Sequence, residues 1–213
     1  MVEPELTLYA ESSWMSPWVF HAMIALEEKN LPYKLTVYSM PLTTEQRDSL
    51  QGHAVLGKVP ALQHGDLYIT ESLAISEYVA EKFPFPTSPR IFPADLGQRA
   101  RSRQIMSFLR TGLFALREER PTSTVFGRPT IKQMSDKARG EAAELLRVAT
   151  ALVKPGATTM FDEYCIADSD VALCLMRLIA NEDAVPSHLI DYALAQFDRR
   201  SVKRYIAHLP TTP

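Results

Sequence analysis

Between residues 83 and 93 the chain reads FPFPTSPRIFP, with prolines at 84, 86, 89 and 93. Proline fixes φ and removes a backbone donor, so neither a regular helix nor a central strand survives there. The stretch is a stiff, extended connector, and domain boundaries fall in such places. A chain of 213 residues is long enough for two modest domains, each with its own core. The division expected is a first domain over residues 1–84, a linker over 85–94 and a second domain over 95–213.

Before the connector, strand and helix signals alternate. Leu6 to Tyr9 is a short β-prone run, Pro17 to Glu28 carries apolar residues at helical spacing, and Tyr33 to Tyr38 alternates as a strand does. These make a βαβ unit. A polar stretch with Thr43, Thr44, Glu45 and Asp48 follows, then two short strands, Val59 to Leu62 and Leu67 to Ile69, around His64-Gly65-Asp66. Glu71 to Lys82 closes the half as a helix with Leu73, Ile75 and Val79 on its apolar side. After the connector the pattern is helical throughout: 95–119, 131–154, 168–181, 187–197 and 201–208. The fold class expected is α/β followed by all-α. The arginines 99, 101, 103 and 110 read as a solvated helix face.

Composition excludes several classes of function. A net charge of −2 offers no basic field for nucleic acid. The apolar runs are all broken by charge, so a membrane span is not expected. The opening MVEPELTLY is acidic where a signal peptide would be basic, and a cytoplasmic protein is expected. Cys165 and Cys174 lack the spacing of a metal or redox motif and read as buried thiols. No metal site is expected.

Three motifs carry chemistry. In Ser12-Ser13-Trp14-Met15-Ser16-Pro17, serine is a preferred N-cap and proline a preferred first helical residue. Ser16 therefore stands where helix N–H groups and the dipole favour an anion, although Ser-Pro by itself is also an ordinary cap. In Gly57-Lys58-Val59-Pro60-Ala61-Leu62, a cis bond before Pro60 would turn the Val59 backbone toward a groove, where it could pair with an extended peptide. An edge-strand proline without a ligand is the alternative. In Thr70-Glu71-Ser72, an acid and a hydroxyl at a helix start can hold a zwitterion, Glu71 taking an ammonium and Ser72 a carboxylate. Plain capping is again the alternative.

Their order along the chain resembles the thioredoxin-like domain of the cytosolic glutathione transferase family. SPWVFHAMIALEEKNLPYK is similar to that family's first helix and second strand, GKVPAL to its proline segment and ITESLAISEYVAEKF to its third helix. Past the connector, IFPADLGQRARSRQ and CIADSDVALCLMRL resemble helices of its all-α domain, Cys165 standing where Ser or Thr is usual. REERPTSTVF and EDAVP resemble a bacterial serine-type subgroup similar to the YfcF transferase.

The resemblance implies glutathione as co-substrate, a small electrophile or peroxide as second substrate, and a homodimer. It places γ-glutamyl on Glu71 and Ser72, the cysteinyl backbone on Val59 and the sulfur toward Ser16, the catalytic hydroxyl. The usual Asn-Pro ahead of GKVP is replaced by Ala54-Val55, leaving Gln51, His53 and Lys58 as candidates for the glycine end. Phe108, Arg110, Phe114 and Arg117 are candidates for the second substrate's pocket, and equally for core or dimer surface. Activities implied are transfer or peroxide reduction, in detoxification and oxidative stress, with a glutathione-dependent isomerase or lyase, or a non-catalytic binding protein, as alternatives.

Overall fold

The computed structural model describes residues 5–130 and 132–210, and the expected helix start at residue 131 and the acidic opening before Glu5 lie outside them. The chain divides into two compact units. One runs to Ile91 and takes in the segment from Ala207, and the other spans Phe92–Ile206.

The first unit holds β1 (Leu6–Glu11), α1 (Pro17–Glu28), β2 (Tyr33–Tyr38), α2 (Thr44–Ala54), β3 (Ala61–His64), β4 (Leu67–Thr70) and α3 (Ser72–Lys82). The sheet order is β2-β1-β3-β4, with β1 and β2 parallel and the other pairs antiparallel. β1 runs two residues past Tyr9 because Ala10 and Glu11 stay in register with Val37 and Tyr38. Strand alternation sends Leu8, Ala10 and Leu62, all fully buried, to one face. Tyr9 and Ala61 point to the other, where Leu42, Leu50, Tyr38 and Val59 complete a small core. α1 is buried from Val19 through Leu26 and packs against α3. Gly65 turns the β3–β4 hairpin at φ +60°, which costs glycine little.

Two features of this unit go beyond the sequence pattern. The polar stretch after β2 is the helix α2, started by a capping box in which Thr43 accepts from the Gln46 N–H and Gln46 from the Thr43 N–H. His21 on α1 is buried, and its Nε2 lies 3.0 Å from Ser76 Oγ on α3. Ser76 Oγ already donates to the Leu73 carbonyl, so Nε2–H is the donor in that pair.

The second unit is helical among its described residues: α4 (Leu96–Thr111), α5 (Phe114–Glu119), α6 (Thr122–Phe126), α7 (Asp136–Leu152), α8 (Ile166–Ile179), α9 (Ser187–Phe197) and α10 (Arg200–Ile206). The expected single helix over 95–119 breaks at Gly112, where a Cβ would come within 2.9 Å of the Phe108 ring. α8 is the buried spine, and Asp168 caps it by accepting from the Cys165 N–H at 2.9 Å, the Met160 N–H at 2.8 Å and the Tyr192 hydroxyl at 2.8 Å. Both cysteines are buried free thiols, and burial pushes their pKa up. The basic face is also partly corrected: Arg110 is mostly buried and pairs with Asp170 at 3.0 Å, while Arg101 reaches Gln104 at the surface.

Candidate functional site

The sheet register brings the three motifs together. Tyr9 pairs with Ala61, and Ala61 with Thr70, so the exit of β1, the entry to β3 and the exit of β4 lie side by side at one end of the sheet. From that end spring the loop carrying Ser16, the Lys58-Val59-Pro60 segment and the Glu71-Ser72 start of α3. The two later segments touch directly, with Lys58 Nζ 2.7 Å from Glu71 Oε1.

Ser16 is the N-cap of α1, with β-region dihedrals (φ −77°, ψ 119°) and Pro17 as first helical residue. Its Oγ accepts from the Trp18 and Val19 N–H groups, each at 3.3 Å. Those contacts use the oxygen as acceptor, a role compatible with the hydroxyl donating its own proton to an anion at the helix start. Val59 precedes a cis peptide bond to Pro60. β3 begins only at Ala61, so the Val59 amide and carbonyl stand beyond the sheet's ladder. Glu71 takes φ +67°, uncommon for a residue with a side chain. It sits at the N-cap of α3 without a side-chain capping bond, its backbone carbonyl accepting from the Ile75 N–H, and Ser72 is buried beside it.

The remaining candidates separate. His53 Nδ1 lies 2.7 Å from the Ser49 carbonyl and its ring packs on Tyr68, Gln51 is exposed, and Lys58 is engaged by Glu71. Phe108, Arg110, Phe114 and Arg117 do not share one helix. Phe108 lines a cavity of about 420 Å³ with Ile105 of α4 and Val148 of α7, whereas Arg117 donates to the Leu109 and Arg110 carbonyls and lies over the exposed Phe114 ring.

Tyr9 turns its hydroxyl to Gln63 Oε1 at 2.7 Å, and burial among Tyr68 and Tyr38 pushes its pKa up to about 12. Such a phenol holds its proton and is already committed as a donor. Sequence reading missed Glu11, whose carboxylate sits under the Ser16 loop. An acid closing a strand and followed by Ser-Ser is the signal that could have found it, since such a side chain reaches the next N–H groups.

Residues 4–81 match the glutathione S-transferase N-terminal domain, and residues 95–210, more than half of the chain, match the glutathione S-transferase C-terminal domain. The chain belongs to the glutathione S-transferase family. Among relatives, glutathione S-transferase U13 of Arabidopsis thaliana is 35% identical over 103 residues, covering 48% of this chain and 44% of the relative. Glutathione S-transferase Z1 of the same plant is 38% identical over 112 residues, covering 52% and 48%. The chain thus spans about half the length of these relatives. Among solved structures, a glutathione transferase homologue from Burkholderia strain BGR1, with bound glutathione, superposes with TM-score 0.77 at 29% identity over 95% of this chain and 96% of that one. A Zeta-class maleyl pyruvate isomerase shares the fold at TM-score 0.71 and 18% identity, over 97% and 100%.

Proposed function

We propose that this glutathione S-transferase binds glutathione extended across the end of the sheet and activates its thiol with the Ser16 hydroxyl. The observation that carries the reading is the Tyr9–Ala61–Thr70 register. It sets the three motifs two strand spacings apart, about 9.5 Å, and an extended tripeptide spans roughly 10 Å. The γ-glutamyl ammonium goes to Glu71 and its carboxylate to Ser72 and the α3 N–H groups. The cysteinyl backbone pairs with Val59, and the sulfur reaches Ser16. On this reading the chain is a serine-type member, similar to the bacterial YfcF transferase.

A free thiol titrates near ~8.5, so only a few per cent is thiolate at neutral pH. A hydrogen bond to a charged partner contributes about 1.5–3 kcal/mol and one pKa unit corresponds to ~1.4 kcal/mol, so one hydroxyl lowers the thiol by roughly one to two units. The dipole of α1 adds about 0.3–1 kcal/mol. The hydroxyl is the larger effect. The thiol proton leaves to solvent, the thiolate forms a bond to an electrophilic carbon, and the leaving group departs with its electron pair. Transfer of this kind fits a role in detoxification, with the homodimer usual for the family.

Retention on glutathione-agarose, followed by conjugation with a chlorodinitrobenzene-type electrophile and by a peroxide assay, tests the proposal. Retention with conjugation supports transfer, and retention with peroxide reduction alone makes the chain a peroxidase. Retention with both assays silent points to an isomerase or lyase, and no retention leaves a binding protein built on the same scaffold.

A further inference from the structure

Glu11 closes β1 and is 5% exposed. Its Oε1 accepts from the Ser16 N–H at 2.9 Å. Its Oε2 accepts from the Ser13 N–H at 2.6 Å, the Ser13 hydroxyl at 2.5 Å and the Trp14 N–H at 3.1 Å. One carboxylate thus gathers three backbone amides of the five-residue loop before α1. Trp14 within that loop is left-handed, φ +56°, a conformation that persists only where the surroundings impose it. Glu11 itself is fixed by its ladder register with Tyr38. A line of constraint runs from sheet to carboxylate to the Ser16 backbone, and so to Oγ.

The same contacts decide which groups meet the sulfur. A second anion cannot share amides that already point at a carboxylate, because like charges in one site repel strongly. The Ser13, Trp14 and Ser16 N–H groups are therefore not the thiolate's donors, and the Ser16 hydroxyl is left with that task.

We propose that Glu11 is a positioning residue for thiol activation, its carboxylate holding the Ser16 backbone so that the hydroxyl meets the glutathione sulfur. This rests on the role proposed for Ser16. Glutamine in its place has a single acceptor oxygen, so it gives up either the Ser16 amide or the Ser13 and Trp14 amides and turns an NH₂ group toward them. Aspartate keeps the charge but withdraws it by one methylene from Ser16, five residues along.

The test measures kcat, the KM for glutathione and the pH profile of kcat/KM for Glu11→Gln, Glu11→Asp, Ser16→Ala and Glu11→Gln/Ser16→Ala, with circular dichroism as the check on folding. Displacing a catalytic group by about 1 Å costs up to a hundredfold, so kcat of Glu11→Gln is expected to fall at least tenfold. KM is expected to stay within about threefold, since Val59, Glu71 and Ser72 are untouched. The apparent thiol pKa rises toward the value seen in Ser16→Ala. The decisive readout is the double variant: a residue acting through Ser16 adds less than about twofold to the Ser16→Ala loss. Full additivity, or an unchanged pH profile in Glu11→Gln, overturns the proposal. Glu11→Asp, the milder change, carries the same test should Glu11→Gln not fold: lower kcat at constant KM supports the proposal, and wild-type kcat overturns it. If Ser16→Ala keeps full turnover, the role of Ser16 falls and this inference with it. If Ser16→Ala is impaired and Glu11→Gln is not, only the inference fails.

Discussion

Lys58 Nζ and Glu71 Oε1 lie 2.7 Å apart, so the carboxylate proposed for the γ-glutamyl ammonium is already held by a cation of this chain. Both side chains are more than half exposed, 58% each. An exposed pair of this kind contributes only about 0–1 kcal/mol, and an incoming ammonium displaces it at little cost. Glu71→Gln removes the charge that both cations seek. KM for glutathione is expected to rise by about five- to thirtyfold, as for a charge-assisted hydrogen bond made neutral. Turnover at saturating glutathione stays within about threefold, because uniform binding was lost. Initial-rate kinetics over a glutathione series checks both.

Ser16→Ala separates activation from binding in the opposite sense. Loss of a donor to a charged sulfur costs about 1.5–3 kcal/mol, roughly ten- to a hundredfold in kcat/KM at neutral pH. The pH profile moves up by one to two units, toward the free-thiol value near ~8.5. The same oxygen caps α1 through Trp18 and Val19, so stability drops by about 1 kcal/mol. Ser16→Thr keeps the cap and the donor; calorimetry and a pH–rate series on the two variants distinguish the contributions.

Much of the fold is written in local pattern, and what is not local is what escapes. The β/α alternation and the capped start at Ser16 are visible because periodicity and cap chemistry act within a few residues. α2 is hidden because only Leu50 and Ala54 of its eleven residues are buried, which leaves no apolar stripe. The Thr43–Gln46 capping box is its readable trace. The break after Thr111 falls at Gly112, which caps α4 with its N–H on the Phe108 carbonyl at 2.8 Å. At the candidate site, Ser16, Val59, Glu71 and Ser72 are legible as motifs, while Glu11 is not, since its role depends on a loop folding back over a strand end.

Alkaline pH probes the buried phenols and thiols. Burial raises the pKa of Tyr9 to about 12 and moves Tyr38, Tyr192, Cys165 and Cys174 upward too. For an acid whose folded pKa exceeds its unfolded value, the folded state binds the proton more tightly. The associated stability is complete below the ordinary values, 9.0 for the thiols and 10.0 for the phenols, and is lost as pH climbs past them. The melting temperature is therefore expected to fall steadily above about pH 9. Ultraviolet titration should show Tyr9 among the last phenols to ionise. Tyr9→Phe loses one hydrogen bond to Gln63, about 1 kcal/mol, and is expected to leave turnover within twofold, because the activation proposed above is assigned to Ser16.

Stability of the helical unit is expected to depend on the largely buried Arg120–Asp183 ion pair. The Arg120 side chain is 3% exposed and grips Asp183 with two nitrogens, Nε at 2.7 Å and Nη2 at 3.0 Å. Nη2 also donates to the Lys132 carbonyl, and Arg177 donates to the Arg120 carbonyl at 2.7 Å. The α5–α6 corner is thereby tied to the turn after α8. Arg120→Ala strands the Asp183 carboxylate, 17% exposed, and is expected to cost about 3–5 kcal/mol. Pairing Arg120→Met with Asp183→Leu removes both charges and should recover most of that loss, because a matched apolar pair avoids the desolvation of either ion. Denaturant titration gives the two free energies. Glutathione KM of whatever remains folded is expected to match the wild type, since Val59, Glu71 and Ser72 belong to the other unit. A KM that moved together with stability would show that this corner also shapes the groove.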